Sequence, residues 1–188
     1  MYVFIDGIKG IYEKRGTISA LLCPPHPDMG GSMFDVRLER ICNELNKANV
    51  STLRFDYRSV ESAVEDAGIC LQWLKDRHDI VAVVGYSFGS VVASSIADDA
   101  DLLILISPLK SIEHLKLKDS KIPKLIIYAR YDRIVSLEES KEIANSLSQP
   151  KEVVELDTDH FYFGKFDVLA KTVKDFIERR TFLSSSQD

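Results

Sequence analysis

The chain has 188 residues, the length of one ordinary domain. Twenty-four Lys and Arg against 29 Asp and Glu give a net charge of −5, which argues against a protein built to grip nucleic acid and lends nothing to a polybasic membrane-surface reading. Hydrophobic residues at 45% and charged residues at 28% exclude a wholly disordered chain.

In chain order, Met1 to Arg15 can supply an antiparallel edge pair that turns near Asp6-Gly7 or Lys9-Gly10. Ile18 to Cys23 reads as a strand. Phe34 to Asn49 reads as a helix, with Val36, Leu38, Ile41, Leu45 and Ala48 along one stripe. Val50 to Phe55 is a strand. Val60 to Arg77 is a helix carrying Val64, Ala67, Leu71 and Leu74 at helical spacing. Ile80 to Val84 is an apolar strand, Phe88 to Ala97 a helix of small residues, and Leu102 to Ile106 another apolar strand. Leu125 to Tyr128 follows as a strand, Leu137 to Leu147 as a helix, Glu152 to Leu156 as a strand and Phe166 to Arg179 as a helix. The locally basic stretch Lys116 to Lys124 reads as a solvated loop.

Strands that are apolar throughout are covered on both sides. The repeated β-α pattern therefore predicts an α/β fold: a doubly wound, mostly parallel sheet with helices on both faces. Residues 1–183 read as one such domain. The tail from Ser184 to Asp188 has nothing apolar to bury and reads as disordered.

No apolar run approaches the roughly 18 residues that span a bilayer, and Asp6 and Gly7 interrupt the only candidate for a signal sequence. Cys23, Cys42 and Cys70 are odd in number and form no C-x-x-C pair. The expectation is three reduced, mostly buried thiols in a cytoplasmic protein.

In open α/β sheets, chemistry sits beyond the carboxyl ends of the strands. After Ile80 to Val84 comes Gly85-Tyr86-Ser87-Phe88-Gly89, a G-x-S-x-G pattern that chance would supply about 0.04 times in a chain of this composition. Between an apolar strand and a helix, such a turn strains the serine and crowds the positions two before and two after it, where glycine lacks the clashing Cβ. Ser87 Oγ would stand at the positive end of the next helix.

A serine hydroxyl needs a base, and the base an orienting acid. Among the histidines, His78 lies in a charged helix end and reads as solvated, and His114 lies in a polar segment. His160 follows the strand ending at Leu156 and is the expected base. Asp132 follows Leu125 to Tyr128 and is the expected acid. Asp157 and Asp159 compete, but their nearness to His160 in sequence suits a local turn better, and Ser107 stands where an acid after the preceding strand would. The order Ser87, Asp132, His160 is that of the α/β-hydrolase nucleophile elbow.

An oxyanion hole needs two backbone N–H groups. One is expected from Phe88. The other is expected from Pro24-Pro25-His26-Pro27-Asp28-Met29-Gly30-Gly31, where prolines cannot donate, leaving Asp28 or Met29. His26 reads as a brace for this loop rather than as the base. Met29, Met33, Tyr57, Phe88, Phe161 and Tyr162 could wall a substrate pocket. Arg58 could meet a substrate carboxylate or form a surface salt bridge.

The motifs P-P-H-P-D-M-G-G-S-M at Pro24 to Met33, R-F-D-Y-R at Arg54 to Arg58, G-Y-S-F-G-S at Gly85 to Ser90, Y-D-R-I-V at Tyr131 to Val135 and D-H-F at Asp159 to Phe161 cover most of the chain. In them the chain resembles the α/β-hydrolase superfamily, near its small cap-less, dienelactone-hydrolase-like members. It departs from dienelactone hydrolases proper, which use a cysteine nucleophile, and it lacks the longer Gly- and Ser-containing loop that follows R-F-D-Y-R in related chains. The resemblance implies a serine hydrolase acting on a small-molecule carboxylic ester or thioester through an acyl-Ser87 intermediate. Neither metal nor organic cofactor is required, and no nucleic acid or membrane partner is expected. A binding domain without turnover is one alternative reading, and an acyltransferase or peptidase with the same residues is another. Residues 107–122 have room for one short helix, at most about 24 Å of it, so an open site without a cap is expected.

Overall fold

A computed structural model of the chain describes residues 1–184, with side chains through Thr181. Its strands are β1 (Tyr2–Ile5), β2 (Ile8–Glu13), β3 (Ile18–Cys23), β4 (Ser51–Phe55), β5 (Ile80–Tyr86), β6 (Leu102–Ile106), β7 (Ser111–Ile112), β8 (Leu115–Lys116), β9 (Lys124–Ala129) and β10 (Lys151–Leu156). Its α-helices are α1 (Val36–Lys47), α2 (Ala63–Lys75), α3 (Phe88–Ser95), α4 (Leu137–Ser146) and α5 (Phe166–Ser184).

Eight strands form one sheet in the order β1-β2-β4-β3-β5-β6-β9-β10. Every pair from β4 to β10 is parallel, and β2 joins both β1 and β4 antiparallel. The edge pair turns at Asp6-Gly7, both with positive φ, and pairs Ile5 with Ile8.

Alternation along the central strands builds two cores. On β5, Val81 and Val83 face one cluster with α2, α3 and α4, while Ala82, Val84 and Tyr86 face another with α1 and α5. Helix α1 shows why the sequence chooses this. Leu38, Ile41 and Leu45 are fully buried along its inner stripe, each contributing roughly 1.5–3 kcal/mol of hydrophobic stabilisation. Its start is fixed by Asp35, whose carboxylate accepts the N–H groups of Arg37 (3.0 Å) and Leu38 (3.3 Å); Asp35→Ala would remove a cap typically worth about 1 kcal/mol.

The chain order of elements follows the sequence pattern, with differences at ends and connections. Helix α2 begins at Ala63 rather than Val60, because Ser59 and Ser62 close a hydrogen-bonded turn and Ser62 Oγ donates to Asp66 (2.9 Å). Helix α5 continues to Ser184, five residues beyond the expected Arg179. Of the tail expected to be disordered, Ser184 is the last residue of α5, and residues 185–188 lie outside the described residues. His78 is buried rather than solvated, its Nε2 2.8 Å from the Tyr12 hydroxyl. Lys124 is buried too, its Nζ donating to the Ser148 carbonyl at 2.7 Å, so the basic stretch is not wholly a solvated loop.

No cap domain is present between β6 and β9. That span holds the β7–β8 ribbon instead of a short helix. Leu109, Ile112, Leu115 and Leu117 pack on the core, and Lys118 N–H donates to Ser94 Oγ of α3 at 3.0 Å. Among the described residues, no helix is long and apolar enough to cross a membrane.

Candidate active site

Ser87 closes β5 and caps α3 with φ 53° and ψ −118°, a backbone conformation that side chains rarely adopt. The fold enforces it from both sides. Ser87 N–H still donates to Ile106 O in the β5–β6 ladder (2.9 Å), while Ser87 O already accepts Ser90 N–H in the helix (2.9 Å). A Cβ at Gly85 would lie 2.1 Å from Gly89 O, and one at Gly89 2.1 Å from Cys23 O. Only glycine at both lets the strand, the elbow and the β3 exit close together.

His160 and Asp132 reach this point from the loops after β10 and β9. His160 Nε2 lies 3.2 Å from Ser87 Oγ, and Nδ1 lies 2.7 Å from Asp132 Oδ2. Burial alone would raise the Asp132 pKa; hydrogen bonds from His160 and from the N–H groups of Val135 and Ile134 outweigh it and hold the carboxyl below its usual value. An ionised Asp132 can only accept, so Nδ1 carries the proton and Nε2 is free to accept from Ser87 Oγ–H. Tyr86 fixes the backbone below the ring by donating its hydroxyl to His160 O at 2.9 Å. Burial pushes that phenol up and keeps it a donor. Asp157 and Asp159 lie elsewhere: Asp157 pairs with Arg130 (3.3 Å), and Asp159 accepts Phe161 N–H in a local turn (2.9 Å). Ser107 shares a hydrogen bond with the buried Tyr162 hydroxyl at 2.8 Å.

A cavity of about 270 Å³ opens beside Ser87, lined by residues that include Met29, Gly31, Arg37, Ile134 and Phe161. Of the expected wall, Met29 and Phe161 stand at it. Met33 and Phe88 are fully buried, and Tyr162 is buried against Ser107. Tyr57 lies in the core and donates to Pro24 O at 3.1 Å, which braces the β3 exit rather than a ligand. Arg58 points away and pairs with buried Asp66 at 2.6 Å, the salt-bridge alternative. Tyr57 and Arg58 leave the cavity for one reason: the chain after β4 runs toward α2, where Arg58 pairs with Asp66.

Arg37 was missed by sequence reasoning. Its guanidinium lies 4.4 Å from the Tyr86 ring centroid and pairs with the cap residue Asp35. Helix periodicity marks it only as a polar position, so nothing local points to it.

The oxyanion expectation needs correction at Asp28 and Met29. Asp28 N–H donates to His26 Nδ1 (3.2 Å) and Met29 N–H to His26 O (3.1 Å), so both are committed within the loop. Gly30 and Gly31 N–H groups are also used, by Pro27 O (3.0 Å) and His26 O (2.9 Å). With prolines at 24, 25 and 27, the amides of His26 and Phe88 have no hydrogen-bond partner among the described residues, and His26 lines the cavity together with Ser87. Among the described residues, no three His, Cys, Asp or Glu side chains converge as a metal site would require.

No protein-family model matches the chain. It is 26% identical over 199 aligned positions to an uncharacterized protein of Rickettsia prowazekii (strain Madrid E), covering 90% of this chain and 84% of that one. Among solved structures it resembles an alpha-beta serine hydrolase homologue from Coxiella burnetii (23% identical, 93% of this chain and 95% of that one, TM-score 0.81). It also resembles a lidless serine hydrolase from Xanthomonas campestris (20% identical, 95% and 94% covered, TM-score 0.82). It is also similar in fold to a dienelactone hydrolase from Anabaena variabilis (17% identical, 95% of each chain, TM-score 0.76). The chain has the α/β-hydrolase fold, in its cap-less form.

Proposed function

We propose that the protein is a serine hydrolase that cleaves a carboxylic ester or thioester through an acyl-Ser87 intermediate. The observation that carries this reading is the continuous line from Ser87 Oγ through His160 to Asp132, at 3.2 and 2.7 Å, with the serine held on a strained turn. Ser87 Oγ attacks the acyl carbonyl carbon while its proton passes to His160 Nε2. Asp132 stabilises the resulting imidazolium. The bond to the leaving oxygen or sulfur breaks, and His160 Nε2–H protonates the departing group. Water then attacks the acyl-serine by the same route, its proton passing to His160 and on to Ser87 Oγ, and the acid leaves. The N–H groups of Phe88 and His26 face the developing oxyanion, where a single donor contributes roughly 10²–10³ in rate. No step calls for a cofactor. The cavity's size and its largely apolar lining suit a small-molecule acyl substrate, and three buried free thiols suit a reducing, cytoplasmic setting.

A fluorophosphonate probe and a panel of p-nitrophenyl esters and acyl thioesters test the reading. Labelling at Ser87 with turnover, both absent in Ser87→Ala, is the expected result. An unlabelled, inactive native protein would instead mark a binding domain. Transfer of the acyl group to an added alcohol or amine in preference to water would mark an acyltransferase.

A further inference from the structure

His26 has both ring nitrogens engaged, and the two partners determine where its proton sits. Asp28 N–H donates to Nδ1 at 3.2 Å, so Nδ1 is bare. A neutral ring then carries its proton on Nε2, which lies 3.2 Å from Glu113 Oε1. This contact is therefore a hydrogen bond from a neutral imidazole to a carboxylate; an ordinary surface ion pair would require a protonated Nδ1 and would expel the Asp28 N–H.

Glu113 comes from the tip of the β7–β8 ribbon, 87 residues away in sequence. Its backbone is held at φ 52°, and its side chain is half exposed. The ribbon is anchored by its leucines to the core and by Lys118 to α3. His26 is itself buried, its ring 4.8 Å from that of Phe88, the residue after the nucleophile. Its carbonyl accepts two N–H groups of the same loop. One imidazole thus ties three parts together: the ribbon through Nε2, the loop after β3 through Nδ1, and the elbow through its ring face.

We propose that Glu113 is a positioning residue for the oxyanion loop: its carboxylate locks His26 in the Nε2–H tautomer and thereby holds the His26 backbone N–H facing Ser87. The inference rests on the acyl-serine reading. It gives the ribbon between β6 and β9 a task, supporting the site from the side where larger relatives of a fold can insert a cap.

The test compares Glu113→Ala and Glu113→Gln in the full chain. Gln keeps an acceptor oxygen at the same reach, whereas Ala removes it. With a short p-nitrophenyl ester, Glu113→Ala is expected to lower kcat by about 3- to 30-fold with KM unchanged, a fraction of the effect of losing one oxyanion donor outright. Affinity for a trifluoromethyl ketone, which Ser87 converts to a tetrahedral oxyanion, falls by the same factor, and affinity for the carboxylic acid product does not. Glu113→Gln recovers most of the loss. Wild-type kcat and ketone affinity in Glu113→Ala would overturn the proposal. So would a loss in which KM, product affinity and thermal stability all worsen together, since that describes a general structural contact. Fluorophosphonate labelling separates the two levels. An unlabelled wild type defeats the acyl-serine reading, while normal labelling with an indifferent Glu113→Ala defeats only this one.

Discussion

Replacing Gly89 by alanine tests the elbow's geometry most directly. The added Cβ would sit 2.1 Å from Cys23 O and 2.6 Å from Pro24 O, both backbone atoms that cannot swing aside. Ordinary contact requires about 1.3 Å more room, so α3 must move away from the β3 exit. Overpacking of this kind costs about 1–3 kcal/mol, and a rigid contact belongs at the upper end. Alanine returns about 1 kcal/mol of helix propensity, leaving a net loss of about 2 kcal/mol. With a urea m-value of about 2 kcal/mol/M, the unfolding midpoint drops by about 1 M. The same movement displaces Phe88 N–H from Ser87, and a misplacement of about 1 Å costs on the order of 10² in rate. Gly68→Ala is the internal control. It lies within α2 with nothing within 4 Å of its new Cβ, so the same chemical change should raise stability by about 0.5–1 kcal/mol and leave the labelling rate alone. A Gly89→Ala protein with an unchanged midpoint and an unchanged fluorophosphonate labelling rate would refute the argument that this close approach constrains the elbow.

Ser87→Gly should be more stable than Ser87→Ala by about 1 kcal/mol in urea titrations, because the φ 53° conformation suits glycine and strains alanine; equal midpoints would argue against stored strain. Asp132 has a folded pKa below its unfolded value near 3.9, so its stabilisation is present above that value and lost as pH falls through the lowered one. Asp132→Asn should therefore flatten the acid side of the stability–pH curve, measured by thermal unfolding from pH 6 to 2, and an unchanged slope would contradict this. Burial pushes Cys42 and Cys70 up to about 12 and Cys23 also well above its usual value, so native protein at pH 8 should react with an aromatic disulfide only after denaturant is added; rapid reaction of any thiol in the folded state would count against it. Without a cap to move, hydrolysis of a short-chain ester should saturate smoothly up to its solubility limit, and a jump in rate at droplet formation would defeat the lidless expectation.

The strands Ile18–Cys23 and Leu102–Ile106 could be read to the residue, because short apolar runs between turn signals leave little choice of boundary. The elbow was equally legible, since its glycines answer a local steric demand. The second oxyanion donor was not. Excluding the prolines left several N–H groups, and the choice among them depends on His26 turning its ring back onto Asp28, which no spacing encodes. His78 was misjudged for a related reason. Its charged neighbours describe the chain locally, whereas its burial involves Tyr12, 66 residues away on β2. The ribbon after β6 went unseen because two-residue strands carry no periodicity.

The positions of Ser87 and His160 also bear on how the protein folds. They are 73 residues apart, and the histidine hangs from β10, the outermost strand at its end of the sheet. During synthesis the serine elbow can form once β5, β6 and β3 have met, long before the base has left the ribosome. Joining β10 to β9 is a parallel pairing with α4 between, and α5 must then close against α1 from near the chain's beginning. Under the proposed mechanism, turnover would therefore require that last edge, and a form lacking only it would hold a strained Ser87 without His160 beside it.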